Sequence, residues 1–166
     1  MQGAMNKAGL RKELVTRRMA LSSHDVAQYS SLIARRLLQD DTIKFEGIVH
    51  VYTSHAAWNE VDTRPLIDQL ATMFPDLTII SSPQDAAALL PTQPCQLILV
   101  PVLGFDDLCN RIGMGAGWYD RFLVQQPQAH TIGVAFECQK YSAVPVDAHD
   151  IPLDIIITES ATYSRL

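Results

Sequence analysis

Cysteine is scarce in this sequence, and what there is does not pair. Cys95, Cys109 and Cys138 stand far apart, with no CxxC and no histidine at metal-ligand spacing. An odd, scattered set argues against a disulfide framework and suits a reducing compartment. No thiol has an evident histidine partner, so a cysteine nucleophile is not expected. Long apolar runs are also missing. No stretch approaches the roughly 20 apolar residues of a membrane helix. Met1-Gln2-Gly3-Ala4-Met5 leads into charged residues rather than into an apolar signal core. The expectation is a cytoplasmic protein with no membrane partner. Repeats and low-complexity tracts are absent, and a net charge of −5 is unlike the basic balance of a nucleic-acid-binding domain.

What remains is the make-up of an ordinary folded domain: 166 residues, 48% hydrophobic and 19% charged. A chain of that length buries a sizeable core without staples or structural metal, and a single α/β domain over residues 1–166 is expected. The charge is uneven. Seven of the 13 Lys/Arg lie before Leu37, against only Glu13 and Asp25, so the rest of the chain is strongly acidic. Such asymmetry fits an anion-binding face or a solvated helix surface.

Hydrophobic spacing sets out the elements. Leu10, Leu14, Val15 and Met19 predict a helix over 5–20. Ser22 and Asp25 start a second that runs to about Leu38. Residues 47–53 are β-branched and read as a buried strand. Asp62 and Thr63 cap a helix to about Met73, with Pro65 tolerated in its first turn. Further strands are expected at 77–80, 96–102, 130–135 and 154–158, with short helices at 84–90 and from 117 to about Val124. Strands alternating with helices predict a three-layer α/β fold, a mostly parallel central sheet with helices on both faces. Ligands of such sheets bind beyond the carboxyl ends of the strands.

The chemistry concentrates in Leu99-Val100-Pro101-Val102-Leu103-Gly104-Phe105 and Arg111-Ile112-Gly113-Met114-Gly115-Ala116-Gly117-Trp118-Tyr119-Asp120-Arg121. The most apolar strand leads to a turn with glycine at alternate positions, and a helix opens behind it. Glycines let backbone N–H groups approach a ligand closely, and free N–H groups at a helix start favour phosphate. Asp120 in the first turn suits Mg²⁺ beside phosphate oxygens, and Arg111 offers a fork for them. The spacing fits neither GxGxxG nor the Walker GK[ST] ending, which sets an NAD-dependent dehydrogenase far behind. A plain strand–helix turn, with Asp120 as a helix-start charge, stays open on this segment alone. His50, in mid-strand, reads as a core histidine; His24, His55 and His130 carry no signal.

The arginine–glycine loop ending in aromatic-Tyr-Asp-Arg resembles the signature of the 5-formyltetrahydrofolate cyclo-ligase family. Other pieces follow in that family's order. These are Lys7-Ala8-Gly9-Leu10-Arg11 with Arg17-Arg18, Glu60-Val61-Asp62-Thr63, Ile132-Gly133-Val134-Ala135-Phe136 with Gln139, and His149-Asp150 ahead of residues 153–158. The resemblance implies the cyclo-ligase and sugar-phosphate isomerase-like fold, with ATP and Mg²⁺ as cofactors. It implies that 5-formyltetrahydrofolate and ATP become 5,10-methenyltetrahydrofolate, ADP and phosphate. Lys7, Arg11, Arg111, Gly113, Met114, Gly115, Ala116, Gly117, Trp118 and Tyr119 would bind ATP. Arg111 and Asp120 would be catalytic, and Asp120 and Asp150 would hold Mg²⁺. Thr53, Trp58, Glu60 and Trp118 would contact the folate. Small molecules are the expected partners, on a monomer or weak homodimer.

The resemblance has a gap. Family members carry a longer segment where this chain passes from Ile80 to Gln96, and it helps to wall the folate pocket. Two readings follow: a compact active cyclo-ligase, or a non-catalytic nucleotide- or folate-binding relative that lost turnover.

Overall fold

The computed structural model describes residues 6–83 and 91–165. The helix expected at 84–90 lies outside the described residues. Helix α1 (Lys7–Met19) starts at Asn6, whose side chain accepts from Gly9 N, and it buries Leu10, Leu14 and Arg18 along one stripe. Helix α2 (Ser23–Gln39) opens on the capping box foreseen at Ser22 and Asp25. Helix α3 (Arg64–Met73) begins where expected, although the Thr63 hydroxyl leaves the cap and donates to Tyr52 O at 2.9 Å. Asp62 Oδ1 accepts from Arg64 N instead, at 3.1 Å.

Six strands form one sheet in the order β2 (Thr78–Pro83), β1 (Ile48–Thr53), β3 (Leu97–Pro101), β6 (His130–Val134), β7 (Ile155–Ile157) and β8 (Thr162–Ser164). The first five run parallel and β8 pairs antiparallel at the edge. The fold is thus α/β, with a mostly parallel sheet accompanied by helices. Leu97, Ile98, Leu99 and Val100 of β3 are all buried, as a central parallel strand requires. Parallel pairing brings Thr53, Pro83, Pro101, Val134 and Ile157 to the same end of the sheet.

Beyond β3 the chain makes a small antiparallel hairpin, β4 (Gly104–Phe105) with β5 (Arg111–Ile112). Its turn is built around Asp106, which is buried and accepts from the N–H groups of Leu108, Asn110 and Val144 and from Asn110 Nδ2, at 2.9–3.1 Å. Helix α1 packs here through a second, smaller core of Leu10, Leu14, Leu103, Ile112 and Val144. Gly104 permits the approach, since a Cβ at that position would overlap the Leu14 side chain. Gln139, in a single 3-10 turn after β6, donates to the carbonyls of Val102 and Leu103 at 2.7 and 2.8 Å and accepts from Phe136 N. That side chain fixes the backbone between β3 and the hairpin, where the ligand end of the sheet begins.

Candidate active site

A cavity of about 780 Å³ opens at the carboxyl end of the sheet. Its floor is the exit of β3 at Pro101, Val102 and Leu103, and one wall is the loop from Gly113 to Gly117. Helix α4 (Trp118–Val124) follows that loop but has only seven residues. A dipole that short contributes little, so the charge that meets a ligand here comes from side chains. Gly115 holds φ +110° and Gly117 φ +63°, conformations that L side chains rarely adopt. Gly113 has no such constraint.

Four cations line the cavity: Lys7, Arg11 and Arg18 from α1, and Arg111 from β5. Arg11 Nε donates to Gly113 O at 2.9 Å, which ties α1 to the glycine loop. Arg111 is buried and its NH2 donates to Asp120 Oδ1 at 2.7 Å. Burial pulls its pKa down, opposed by the carboxylates of Asp120 and Asp150. The same Asp120 oxygen accepts from Ile151 N at 3.2 Å. Lys7 is ion-paired with both Asp147, at 2.6 Å, and Asp150. Burial works against its charge, yet the two carboxylates outweigh it and its pKa rises. Burial alone would raise Asp150, but the Lys7 ammonium and the N–H of Asp147 hold its carboxyl below the ordinary value.

The far wall is the loop after β1. His55 and Trp58 stack with ring centroids 4.4 Å apart, and Trp58 remains 41% exposed. Glu60 is only 5% exposed, and its Oε2 accepts from His55 N at 2.8 Å. Of six buried side-chain polar atoms without a partner among the described residues, four belong to residues of this cavity, Arg18 Nε, Arg111 Nε, Trp118 Nε1 and Tyr119 OH; Arg36 Nε and His50 Nδ1 lie elsewhere. Unsatisfied donors in a folded interior ask for an acceptor-rich occupant.

Lys7, Arg11, Trp58, Glu60, Arg111, residues 113–120 and Asp150, each anticipated from sequence, all line this one cavity. Tyr119 does so from within the main core, with its ring against Phe122. Thr53 stands apart. Its hydroxyl is 3.1 Å from that of Ser81 on the neighbouring strand, and it is not part of the cavity wall. His55, dismissed from sequence, belongs to the wall, as do Asp147, His149 and Arg18. Arg18 had a readable signal. At about 100° per residue, positions 7, 11 and 18 of a helix fall within about 40° of one another. Asp147, His149 and Asp150 bring ligand-capable atoms within 4.8 Å of one another.

The family model for the 5-formyltetrahydrofolate cyclo-ligase family matches residues 76–159. The 5-formyltetrahydrofolate cyclo-ligase of Mycoplasma pneumoniae is 31% identical, with the match covering 93% of this chain and 99% of that protein. The cyclo-ligase of Escherichia coli (strain K12) is 28% identical, over 89% of this chain and 97% of the other. The solution structure of Aquifex aeolicus 5,10-methenyltetrahydrofolate synthetase superposes with a TM-score of 0.78 at 25% identity, covering 96% of this chain and 93% of that one. Signature loop, sheet topology and near end-to-end matches agree: the chain belongs to the 5-formyltetrahydrofolate cyclo-ligase family.

Proposed function

We propose that the protein converts 5-formyltetrahydrofolate and ATP to 5,10-methenyltetrahydrofolate, ADP and phosphate, in the cytoplasm. The observation that carries this reading is the convergence of Lys7, Arg11, Arg18 and Arg111 with the positive-φ glycine loop on one cavity. In the reaction the formyl oxygen attacks the γ-phosphorus and ADP leaves. N10 then adds to the activated carbon, loses its proton, and phosphate departs with the former formyl oxygen. Chemistry of this kind asks the protein for alignment and charge neutralisation rather than for a nucleophile.

Each side chain has a corresponding task. The glycine loop supplies N–H groups that Cβ atoms would otherwise screen. Lys7 and Arg11 approach the phosphates from α1, and Arg111 steadies the γ-phosphoryl oxygens as charge shifts onto them. Its bond to Asp120 keeps the guanidinium plane in place. The walls formed by Trp58, Trp118 and Glu60 enclose the folate. The donor set suits a hard cation: Asp150 has carboxylate oxygen within 4.8 Å of ligand atoms of Asp147 and His149, and Asp120 lines the same cavity. Mg²⁺ held there would neutralise charge on the phosphate oxygens. Against the shortened segment before Gln96 stands the M. pneumoniae cyclo-ligase, whose match with this chain almost end to end supports the reading.

The test follows methenyltetrahydrofolate formation by absorbance with purified protein, 5-formyltetrahydrofolate and Mg-ATP. Turnover should require ATP. Asp120→Asn should lower it by about 10²-fold, the usual cost of removing one electrostatic stabiliser of a transition state. Wild-type protein that binds ATP in a calorimeter yet shows no turnover would overturn the enzyme and leave a nucleotide-binding relative.

A further inference from the structure

Arg18 is the one α1 cation in the cavity wall that is fully buried, 3% exposed, and it lies away from the glycine loop. It comes eleven residues after Lys7, so at 1.5 Å per residue it sits about 16 Å further along the helix axis. Helix α1 therefore runs the length of the cavity, with Lys7 and Arg11 at the loop end and Arg18 at the other. The neighbour at that other end is the loop carrying Glu60. Asn59, in the left-handed region at φ 48°, turns this loop, and its Nδ2 donates to the carbonyls of Arg18 and Leu21 at 3.3 and 2.9 Å. The segment that presents Glu60 is thereby stapled onto the last turn of α1. Arg18 and Glu60, both buried, line the same end of the cavity. Arg18 Nε has no partner among the described residues. Burial lowers the Arg18 pKa and the charge of Glu60 opposes it, as expected of two groups within electrostatic reach.

A buried cation beside a buried anion offers donors and acceptors next to each other in a dry site. The 2-amino-4-oxopyrimidine edge of a reduced pterin is the complement: two adjacent N–H donors followed by a carbonyl oxygen. We propose that Arg18 is a specificity-determining residue that donates to this carbonyl, while Glu60 accepts from the two neighbouring N–H groups. The assignment rests on the cyclo-ligase reading and extends it to the residue that tells a 4-oxo ring from a 4-amino ring. A carboxylate can still accept two N–H donors from a 2,4-diamino ring that has taken a proton at N1, whereas a guanidinium then finds no carbonyl oxygen beside them.

The experiment uses the full chain, with Arg18→Met to remove the donors while keeping the stem, and Arg18→Lys to keep the charge but lose the fork. Two readouts are taken: KM for each substrate, and inhibition by the 2,4-diamino counterpart of the folate. Wild-type enzyme should favour the 4-oxo ring by at least tenfold. In Arg18→Met that preference should shrink below threefold, with KM for the folate raised tenfold or more and KM for ATP within twofold. Arg18→Lys should fall between the two and supplies the measurement should Arg18→Met fail to fold. An unchanged 4-oxo preference in both variants, or a KM for ATP that rises in step with that for the folate, overturns the proposal. Wild-type protein that neither binds nor converts 5-formyltetrahydrofolate sinks the cyclo-ligase reading itself, and this assignment with it.

Discussion

His50 lies wholly buried on β1, with Nε2 3.2 Å from the Ser82 hydroxyl and its ring edge-on to Phe122. Burial drives its pKa down to about 4. Between that value and the ordinary 6.5 the unfolded chain binds a proton that the folded protein refuses, so stability falls as pH drops through this window. The loss by pH 4 should be on the order of 3 kcal/mol, one unit being about 1.4 kcal/mol. Urea midpoints at pH 7 and 4.5 should show it, and His50→Gln should flatten the dependence. The glycine loop offers a paired test. Gly115→Ala forces a side chain to φ +110° with Arg11 Cζ 3.4 Å away, at a cost of about 1–3 kcal/mol. ATP affinity measured by calorimetry should drop at least tenfold. In Gly113→Ala the new methyl meets nothing nearer than Arg111 NH1 at 3.7 Å, so affinity should stay within threefold.

At the scale of elements, the β4–β5 hairpin depends on one carboxylate. Asp106→Ala would strand four donors, three of them backbone N–H groups, in a buried turn. An unfolding free energy lower by about 3 kcal/mol is expected, with Asp106→Asn milder because one oxygen survives. Sequence did not disclose this hairpin. Two-residue strands carry no periodicity, and Cys109 at φ 57° shows none of the usual turn chemistry. Strand β8 escaped for the same reason. The longer elements were legible because each buries a full face: β3 and β6 match their apolar runs to within a residue or two. The site was legible where it is contiguous. Arg111 to Asp120 announces itself by composition, whereas His55 and Asp147 join it only through the sheet topology that folds four distant segments to one end. Thr53, also named from sequence, ends β1 beside Ser81 and is not part of the cavity wall.

Over the whole molecule, a chain of net charge −5 keeps a cavity whose wall sets Lys7, Arg11, Arg18 and Arg111 beside the carboxylates of Glu60, Asp120, Asp147 and Asp150. The basic N-terminal segment before Leu37 is therefore not a solvated surface alone, because one stripe of α1 faces inward and binds the acidic remainder through Asp147 and Asp150. The small core beneath that helix has a temporal side. Leu10 and Leu14 are synthesised well before their partners Leu103, Ile112 and Val144. A helix of 13 residues is marginal in water alone, so α1 must wait, exposed, while the sheet assembles without it. Pulse-labelled hydrogen exchange during refolding should find α1 amides protected after those of β1 and β3. Synthesis thus completes the phosphate end of the cavity late, because α1 finds the last of its packing partners only once Val144 has been made.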